Sequence, residues 1–86
     1  MFYVYIIKSK KSNRLYTGFS SDLKQRVKDH NSGKSPYTNR MRPWKLVYYE
    51  AYLSKEDAQK RERNLKLRSN ASLQLRKRIK QSINEG

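Results

Sequence analysis

The sequence predicts an α+β domain in which helices flank a small three-stranded antiparallel sheet, in the order β-β-α-β-α-α. Two segments near the N-terminus are rich in aromatic and β-branched residues, and a third such segment runs through residues 44–52. Between and after these segments, apolar residues recur at helical spacing behind residues that favour helix starts. With 86 residues, the chain has room for one domain, residues 1–86, with one modest core.

The first two strands, residues 2–8 and 14–19, are separated by a polar segment that predicts a β-hairpin. If residues 9–12 form its loop, Tyr5 and Tyr16 are direct cross-strand neighbours, whereas a three-residue loop or a bulge shifts the pairing by one residue. Both faces of the first strand are apolar, which predicts a strand covered on each side. We therefore expect both phenols to project from one face of the sheet.

A short helix follows the hairpin, because Asp22 and the serines before it can cap a helix that carries Leu23 and Val27. Gly33 can end this helix. Its polar flank carries Arg26 and His30, which are four residues apart and so lie on one side of the helix. Residues 34–43 are basic and contain two prolines, so we expect a loop that can lie against phosphates.

The remaining chain predicts one strand and two helices. In the strand over residues 44–52, Leu46, Tyr48 and Glu50 alternate with residues of the opposite face. Ser54 resembles a cap for a helix that ends near residue 67. A last helix is expected over residues 71–83, capped by Asn70, with an apolar stripe on one side.

The composition points to a polyanionic partner. The chain holds 21 Lys and Arg against seven Asp and Glu, which gives a formal net charge of +14. Nucleic acid, most likely DNA, is the first candidate, because neutralising phosphates releases counterions and rewards this charge directly. An acidic membrane surface is the weaker alternative.

Cysteine is absent, and a single histidine is present, so disulfides, thiolate zinc sites and histidine clusters are excluded. The longest apolar run, residues 2–7, is too short to span a bilayer. We expect a cytoplasmic protein that does not associate with membranes.

Glu62 stands out among the carboxylates, because it lies four residues after Ala58 and three before Leu65, on the apolar stripe of its helix. One interpretation is a salt bridge to Lys66 or Arg26, since structural ion pairs are commoner than metal ligands. The other is a ligand for a hard divalent cation, which one carboxylate can hold when waters and substrate phosphate complete the shell.

The individual candidates have ordinary explanations, since strand tyrosines usually pack and charged helix faces are usually solvated. Their convergence changes the interpretation. Phenol, guanidinium, imidazole and carboxylate on one side of a small basic domain form a set of groups that is typical of an active site.

These residues resemble the GIY-YIG endonucleases, and in particular their small stand-alone members of the UPF0213 type. The triplet at residues 3–5 takes the place of Gly-Ile-Tyr, and the triplet at residues 16–18 matches Tyr-Ile-Gly. Arg26 and His30 follow at the family's spacing, and the helix with Glu62 resembles the family's metal-binding helix. The resemblance covers roughly residues 2–80, although Phe19 stands where larger members often have a lysine or a polar residue.

The resemblance implies hydrolysis of a phosphodiester with one Mg²⁺ or Mn²⁺ ion. Tyr16 would help to take the proton from the attacking water, and Tyr5 would position that water or share the role of base. Arg26 would stabilise charge on the phosphoryl oxygens, and His30 would hydrogen-bond the nucleophile or a phosphate. Glu62 would hold the metal. Candidates for contacts to the nucleic-acid backbone are Lys34, Arg40, Arg42 and Lys66.

Three hypotheses therefore remain open. The first is a structure-directed or weakly specific DNA endonuclease, and the second is a non-catalytic basic domain that binds DNA or RNA. The third is a nuclease that needs a protein partner for specificity, because the chain has no room for a separate recognition domain.

Overall fold

The computed structural model describes residues 1–67 and 70–86 and confirms the α+β class. An antiparallel sheet has the order β2-β1-β3, so β1 is its central strand. The strands are β1 (Phe2–Ser9), β2 (Leu15–Ser20) and β3 (Trp44–Tyr52). The helices are α1 (Leu23–Ser32), α2 (Lys55–Lys66), α3 (Asn70–Arg78) and α4 (Lys80–Glu85), and a short 3-10 turn spans Asn39–Met41.

The loop of the hairpin lies one residue further along the chain than the segment 9–12 that the sequence suggested. Ser9 closes it by donating its backbone N–H to the carbonyl of Arg14 at 2.8 Å, which leaves residues 10–13 as the loop. Asn13 has φ 61°, and asparagine tolerates this left-handed conformation better than most residues. The hydroxyl of Ser9 accepts hydrogen bonds from two loop amides and holds the turn.

The displaced loop changes the predicted strand register. Tyr5 pairs with Gly18, and Tyr16 pairs with Ile7, so the expected direct pairing of the two tyrosines is wrong. The shift amounts to two residues, and a shift by an even number keeps every side chain on its face of the sheet. Both phenols therefore still belong to the same face, as diagonal rather than direct neighbours.

The predicted caps of the first two helices, α1 and α2, are confirmed. Asp22 accepts a hydrogen bond from the Gln25 amide at 3.1 Å, and Gly33 ends α1 with φ 84°. Ser54 accepts from the Asp57 amide and starts α2.

A β-bulge in β3 corrects the predicted alternation of that strand. The pairing with β1 slips between Ile6 and Ile7, because β3 carries one extra residue between Tyr48 and Leu46. As a result, Leu46 packs with Ile7, whereas Tyr48 packs on the opposite face near Ile6. Strict alternation had placed Leu46 and Tyr48 together.

The last helix is divided in two, where the sequence predicted one. Ile79 has φ −104° and ψ 22°, outside the helical range, and separates α3 from α4. Its buried side chain nevertheless stays in line with Leu75, so the predicted stripe is retained. The bend brings α4 onto β3. Lys8, on the neighbouring strand β1, donates its ammonium group to the carbonyl of Ile83 at 2.9 Å. Asn70 is the first helical residue of α3 rather than its cap.

Each face of β1 has its own hydrophobic cluster, as predicted for a strand covered on both sides. The cluster on the side of α2 contains Val4 and Ile6 with residues from α2, α3 and Ile79. The cluster on the side of α1 is built around Tyr5, Ile7 and Trp44. Burying each large aliphatic side chain contributes roughly 1.5–3 kcal/mol, so β1 anchors both halves of the domain. None of the helices in residues 1–67 and 70–86 has the length and apolarity to cross a membrane.

Glu50 forms a polar network that the sequence did not predict. Arg61 donates to both of its carboxylate oxygens, each at 2.9 Å, and the phenols of Tyr48 and Tyr52 donate to them as well. Burial by itself raises the pKa of the Glu50 carboxyl. The hydrogen bonds from these three residues lower that pKa by more than burial raises it, so the net change is downward. The network fixes α2 against β3.

Candidate active site

A chain of buried hydrogen bonds forms the centre of the candidate site. The Tyr5 hydroxyl lies 2.8 Å from His30 Nε2, and His30 Nδ1 lies 2.7 Å from Thr38 Oγ1. All three residues are at most 1% exposed. The chain links the central strand to α1 and to the loop that follows α1.

His30 is held neutral in this environment. Burial is the main cause, and the positive charge of Arg26 adds to it, so the pKa of His30 falls from 6.5 to about 4. A neutral imidazole has one donor and one acceptor nitrogen. Since both nitrogens already have partners, a direct hydrogen bond from His30 to a phosphate would require one of these contacts to break.

Tyr5 is also shifted from its ordinary behaviour. Burial raises the pKa of its phenol to about 12, against the opposing effect of the neighbouring Arg26 guanidinium. The phenol lies directly over Gly18, where a built Cβ would overlap the ring and its oxygen. Glycine at this position therefore makes room for Tyr5, which explains structurally why the second triplet ends in glycine.

The neighbours of Tyr5 and His30 determine which group donates each hydrogen bond of the chain. Arg26 has only donors to offer, so the Tyr5 oxygen beside it acts as an acceptor and directs its own proton to His30 Nε2. His30 then donates from Nδ1 to Thr38. We assign this tautomer because it satisfies each group without placing two donors face to face.

Tyr16 lies at the outer side of the same group. Its ring centroid is 5.2 Å from that of His30 and 6.3 Å from that of Trp44, in both cases edge to face. The ring of Tyr37 packs against it from the loop at 5.7 Å, and the ammonium of Lys66 lies 5.8 Å from its centroid. Unlike Tyr5, Tyr16 lines an open cleft of about 600 Å³. We call it the Tyr16 cleft, and its aromatic and cationic walls are Tyr16, Tyr37, Trp44, Arg14, Lys66 and Arg76.

Glu62 reaches the site from α2 and is paired with Lys66. Its carboxylate lies 3.1 Å from the Lys66 ammonium, and its side chain is 20% exposed. The negative charge of Glu62 also contributes to the raised pKa of Tyr5. The structure thus contains the expected salt bridge, and Lys66, which lies over the Tyr16 ring, connects Glu62 to that tyrosine.

The residues around Glu62 fit only one kind of metal site. Within residues 1–67 and 70–86, no three His, Asp or Glu side chains converge as a ready-made metal site. A zinc-type site is therefore not supported. A single, partly exposed carboxylate does fit a hard cation such as Mg²⁺ or Mn²⁺, which is typically bound by one or two carboxylates together with waters and phosphate oxygens.

The predicted backbone contacts divide into two groups. Lys66 belongs to the site itself. Lys34 and Arg42 instead interact with α1, where Lys34 pairs with Asp29 at 3.8 Å and Arg42 donates to loop and helix carbonyls. Arg40 is exposed on the 3-10 turn.

Sequence reasoning missed three residues that complete the site. Thr38 holds His30, Tyr37 packs on Tyr16, and Trp44 donates its indole N–H to the Thr38 carbonyl at 2.9 Å. The loop that carries Thr38 and Tyr37 has no periodic pattern, so its sequence does not reveal which side chains turn inward.

Comparisons with known proteins find a matching domain family and several similar chains. A model of the GIY-YIG catalytic domain matches residues 1–78. A UPF0213 protein from Clostridium perfringens is 47% identical over 77 residues, which cover 87% of this chain and 82% of the relative. A UPF0213 protein from Staphylococcus haemolyticus is 46% identical over 65 residues, or 74% of this chain and 78% of the relative. The solution NMR structure of a UPF0213 protein from Bacillus halodurans superimposes with a TM-score of 0.53 at 38% identity, covering 87% of this chain and 81% of that chain.

Proposed function

Because this chain belongs to the GIY-YIG family and to its UPF0213 group, we propose that it is an endonuclease that hydrolyses phosphodiester bonds in DNA, with structural or weak sequence specificity. The observation that carries the proposal is the convergence of Tyr5, Tyr16, Arg26 and His30 with Glu62. These groups come from β1, β2, α1 and α2, and packing alone does not require them to meet.

Tyr16, in its phenolate form, is the group that takes the proton from the attacking water. It lines an open cleft, so a water molecule on a bound substrate can reach it. Tyr5 is less suited to that role, because burial raises the pKa of its phenol to about 12 and its oxygen is already bonded to His30. Tyr5 instead positions its neighbours through its bond to His30. General base catalysis of this kind typically contributes about 10²–10⁴-fold to the rate.

Arg26 stabilises the negative charge that develops on the phosphoryl oxygens. Its guanidinium is fixed beside the Tyr5 phenol and so is oriented before the substrate arrives. Such preorganised electrostatic contacts are typically worth about 10²–10³-fold in rate. His30 acts as a positioning residue, because it holds Tyr5 on one side and the loop of Thr38 on the other.

Glu62 is the residue that would hold Mg²⁺ or Mn²⁺. The ion, when bound, supplies a Lewis acid that polarises the phosphate and neutralises the leaving oxygen. Lys66 competes for the same carboxylate and is released toward the substrate when the ion pair opens. Lys34, Arg40, Arg42 and Lys66 then contact the phosphate backbone, which fixes the position of the substrate without reading its sequence.

A second candidate function is binding of DNA or RNA without cleavage. The observation that favours it is the ion pair between Glu62 and Lys66, which gives the carboxylate a structural role at 3.1 Å. With a net charge of +14, both candidates predict salt-sensitive binding of nucleic acid. A protein partner that adds specificity is compatible with either.

Cleavage and binding by Glu62→Ala distinguish the two candidates. The wild type should nick branched or supercoiled DNA in the presence of Mg²⁺ or Mn²⁺, and Glu62→Ala should abolish nicking while binding remains largely intact. Glu56→Ala is the matched control, since it removes an exposed carboxylate from the first turn of the same helix. Equal nicking by Glu62→Ala and the wild type would refute the assignment.

The roles of the other groups are tested in the same assay. Arg26→Ala and Tyr16→Phe should each lower the cleavage rate by about 10²-fold or more. A panel of duplex, flap, junction and single-stranded DNA, together with RNA, then defines the substrate. If both substitutions weaken binding alone and no substrate is cut, the binding function is favoured.

A further inference from the structure

The Tyr16 cleft has a chemical character that phosphate contacts alone do not explain. Residues from β2, β3, α2, α3 and the loop after α1 meet around it. Three of its walls are cationic, namely Arg14, Lys66 and Arg76, and none of its lining residues in the described part of the chain is acidic. The other lining residues are apolar apart from Thr17. The cations suffice for contacts to phosphates, whereas the open aromatic rings suit a partner that also offers a flat apolar face.

Tyr37 is the most exposed of the aromatic walls. Its relative exposure is 75%, although isolated exposed aromatics are common on protein surfaces and carry no meaning alone. Here the flanking residues Ser35 and Thr38 are buried and joined by a turn, in which the Thr38 amide donates to the Ser35 carbonyl at 3.2 Å. The backbone that presents the ring is therefore fixed. One edge of the ring packs on Tyr16, and most of its surface remains open.

An unpaired nucleotide matches both parts of the cleft. A base that has left its stack offers an apolar face, for which an open tyrosine ring is a suitable partner, while its phosphates suit nearby cations. Bases inside a duplex are stacked on each other and cannot reach the ring. The cleft volume of about 600 Å³ lies in the usual range for small-molecule sites.

We propose that the Tyr16 cleft binds an unpaired nucleotide of the substrate, with its base stacked on Tyr37 and its phosphates at Arg14 and Arg76. This inference rests on the proposed function, because Tyr16 is at once a wall of the cleft and the proposed base. An unpaired nucleotide held there lies next to the bond to be cut. The substrate class is therefore DNA with a boundary between paired and unpaired strands, such as an overhang or a flap.

The test measures binding without cleavage, by fluorescence anisotropy in a buffer that contains EDTA. Two DNAs are compared that share one duplex, and one of them has a short overhang with 2-aminopurine. The wild type should prefer the overhang DNA and should quench the 2-aminopurine. Tyr37→Ala should weaken binding of the overhang DNA by about fivefold to a hundredfold, as expected from the loss of one stacked base. Binding of the blunt duplex should change less than about twofold.

Two variants serve as controls. Tyr37→Trp retains an aromatic face and should keep the preference. Tyr49→Ala removes another exposed tyrosine, 53% exposed on β3 and in contact with Tyr3 rather than with the cleft, and should change neither affinity. Equal wild-type affinity for the two DNAs, or an equal loss for both DNAs in Tyr37→Ala, would overturn the proposal.

The failure of this proposal can be separated from the failure of the proposed function. The binding test uses no divalent cation and reads no cleavage. If the protein nicks DNA in a Glu62-dependent way but does not prefer overhang DNA, it is an endonuclease whose Tyr16 cleft binds something other than an unpaired nucleotide. If the protein prefers overhang DNA in a Tyr37-dependent way but does not nick DNA, it is a binding domain for unpaired strands.

Discussion

Acid should destabilise the folded protein through His30, beginning at pH values above the ordinary pKa range of carboxylates. His30 is fully buried, and its pKa is lowered to about 4 from a value of 6.5 in the unfolded chain. Because the folded pKa lies below the unfolded one, the unfolded state binds the proton first. The stabilising contribution is thus fully present above about pH 6.5 and is lost as the pH falls toward 4.

The magnitude follows from these two pKa values. Linkage between them gives a loss of about 2.5 kcal/mol in the free energy of unfolding between about pH 7.5 and pH 4.5. Small domains are stable by only about 5–15 kcal/mol, so the change is a large fraction of the total. Urea denaturation at several pH values measures it directly.

The matched variant is His30→Gln, because His30 is the single histidine of the chain. The variant and the wild type share every carboxylate, including Glu50, so the difference between their pH profiles isolates the imidazole. We expect the variant to lose about 2.5 kcal/mol less than the wild type over this range. Parallel profiles would refute the argument that the fold holds His30 neutral. An NMR titration of the His30 ring gives an independent reading, with a midpoint near pH 4 expected.

Three further predictions concern neighbouring contacts. Gly18→Ala should displace the Tyr5 phenol and destabilise the fold by about 1–3 kcal/mol, measured by urea denaturation, with a parallel loss of cleavage. Glu50→Gln should destabilise by about 2 kcal/mol in thermal unfolding, because it removes the charge from hydrogen bonds that arginine and two tyrosines donate. Lys66→Met should lower the Mn²⁺ concentration needed for half-maximal cleavage, because Glu62 loses its competing partner.

Matched controls exist for the two charged positions, and Gly18→Ala and Lys66→Met each have a result that would contradict the prediction. Glu56→Gln and Lys60→Met change exposed residues of α2 and should leave stability and metal dependence near those of the wild type. Unchanged stability of Gly18→Ala would mean that the phenol does not occupy the space over that glycine. An unchanged Mn²⁺ requirement in Lys66→Met would mean that Glu62 is not the metal ligand or that the ion pair does not compete.

Much of the fold was predictable because local chemistry determines it. Asp22 and Gly33 bound α1 through capping and a left-handed end, and Ser54 starts α2 in the same way. The errors arose where one residue changes the pairing of the strands without changing the pattern of apolar residues in the sequence. The hairpin loop lies one residue further along, where Asn13 takes a left-handed conformation, and the bulge at Val47 reverses the face of every earlier residue in β3. Neither change is visible in hydrophobic periodicity.

The motif residues of the candidate site could be chosen from the sequence, but the residues that hold them in place could not. Tyr5, Arg26 and Glu62 could be chosen because their types and spacings resemble a family. The pairing of His30 with Thr38 depends on how the loop folds back over α1, which is a tertiary contact. The same holds for Glu50, whose partners lie on its own strand and on α2 and become visible only once the sheet and helix are packed.

The central position of β1 has a consequence for how the site comes apart. Tyr5 sits on a strand that is hydrogen-bonded to a neighbour on each side, and such amides usually exchange with solvent only when the whole domain unfolds. Tyr37 and Thr38 belong to an irregular loop, whose opening costs less. Mild denaturant should therefore release the loop first, while the tyrosine on β1 keeps its place. The two parts of one site would then disappear at different urea concentrations, and amide exchange can record each separately.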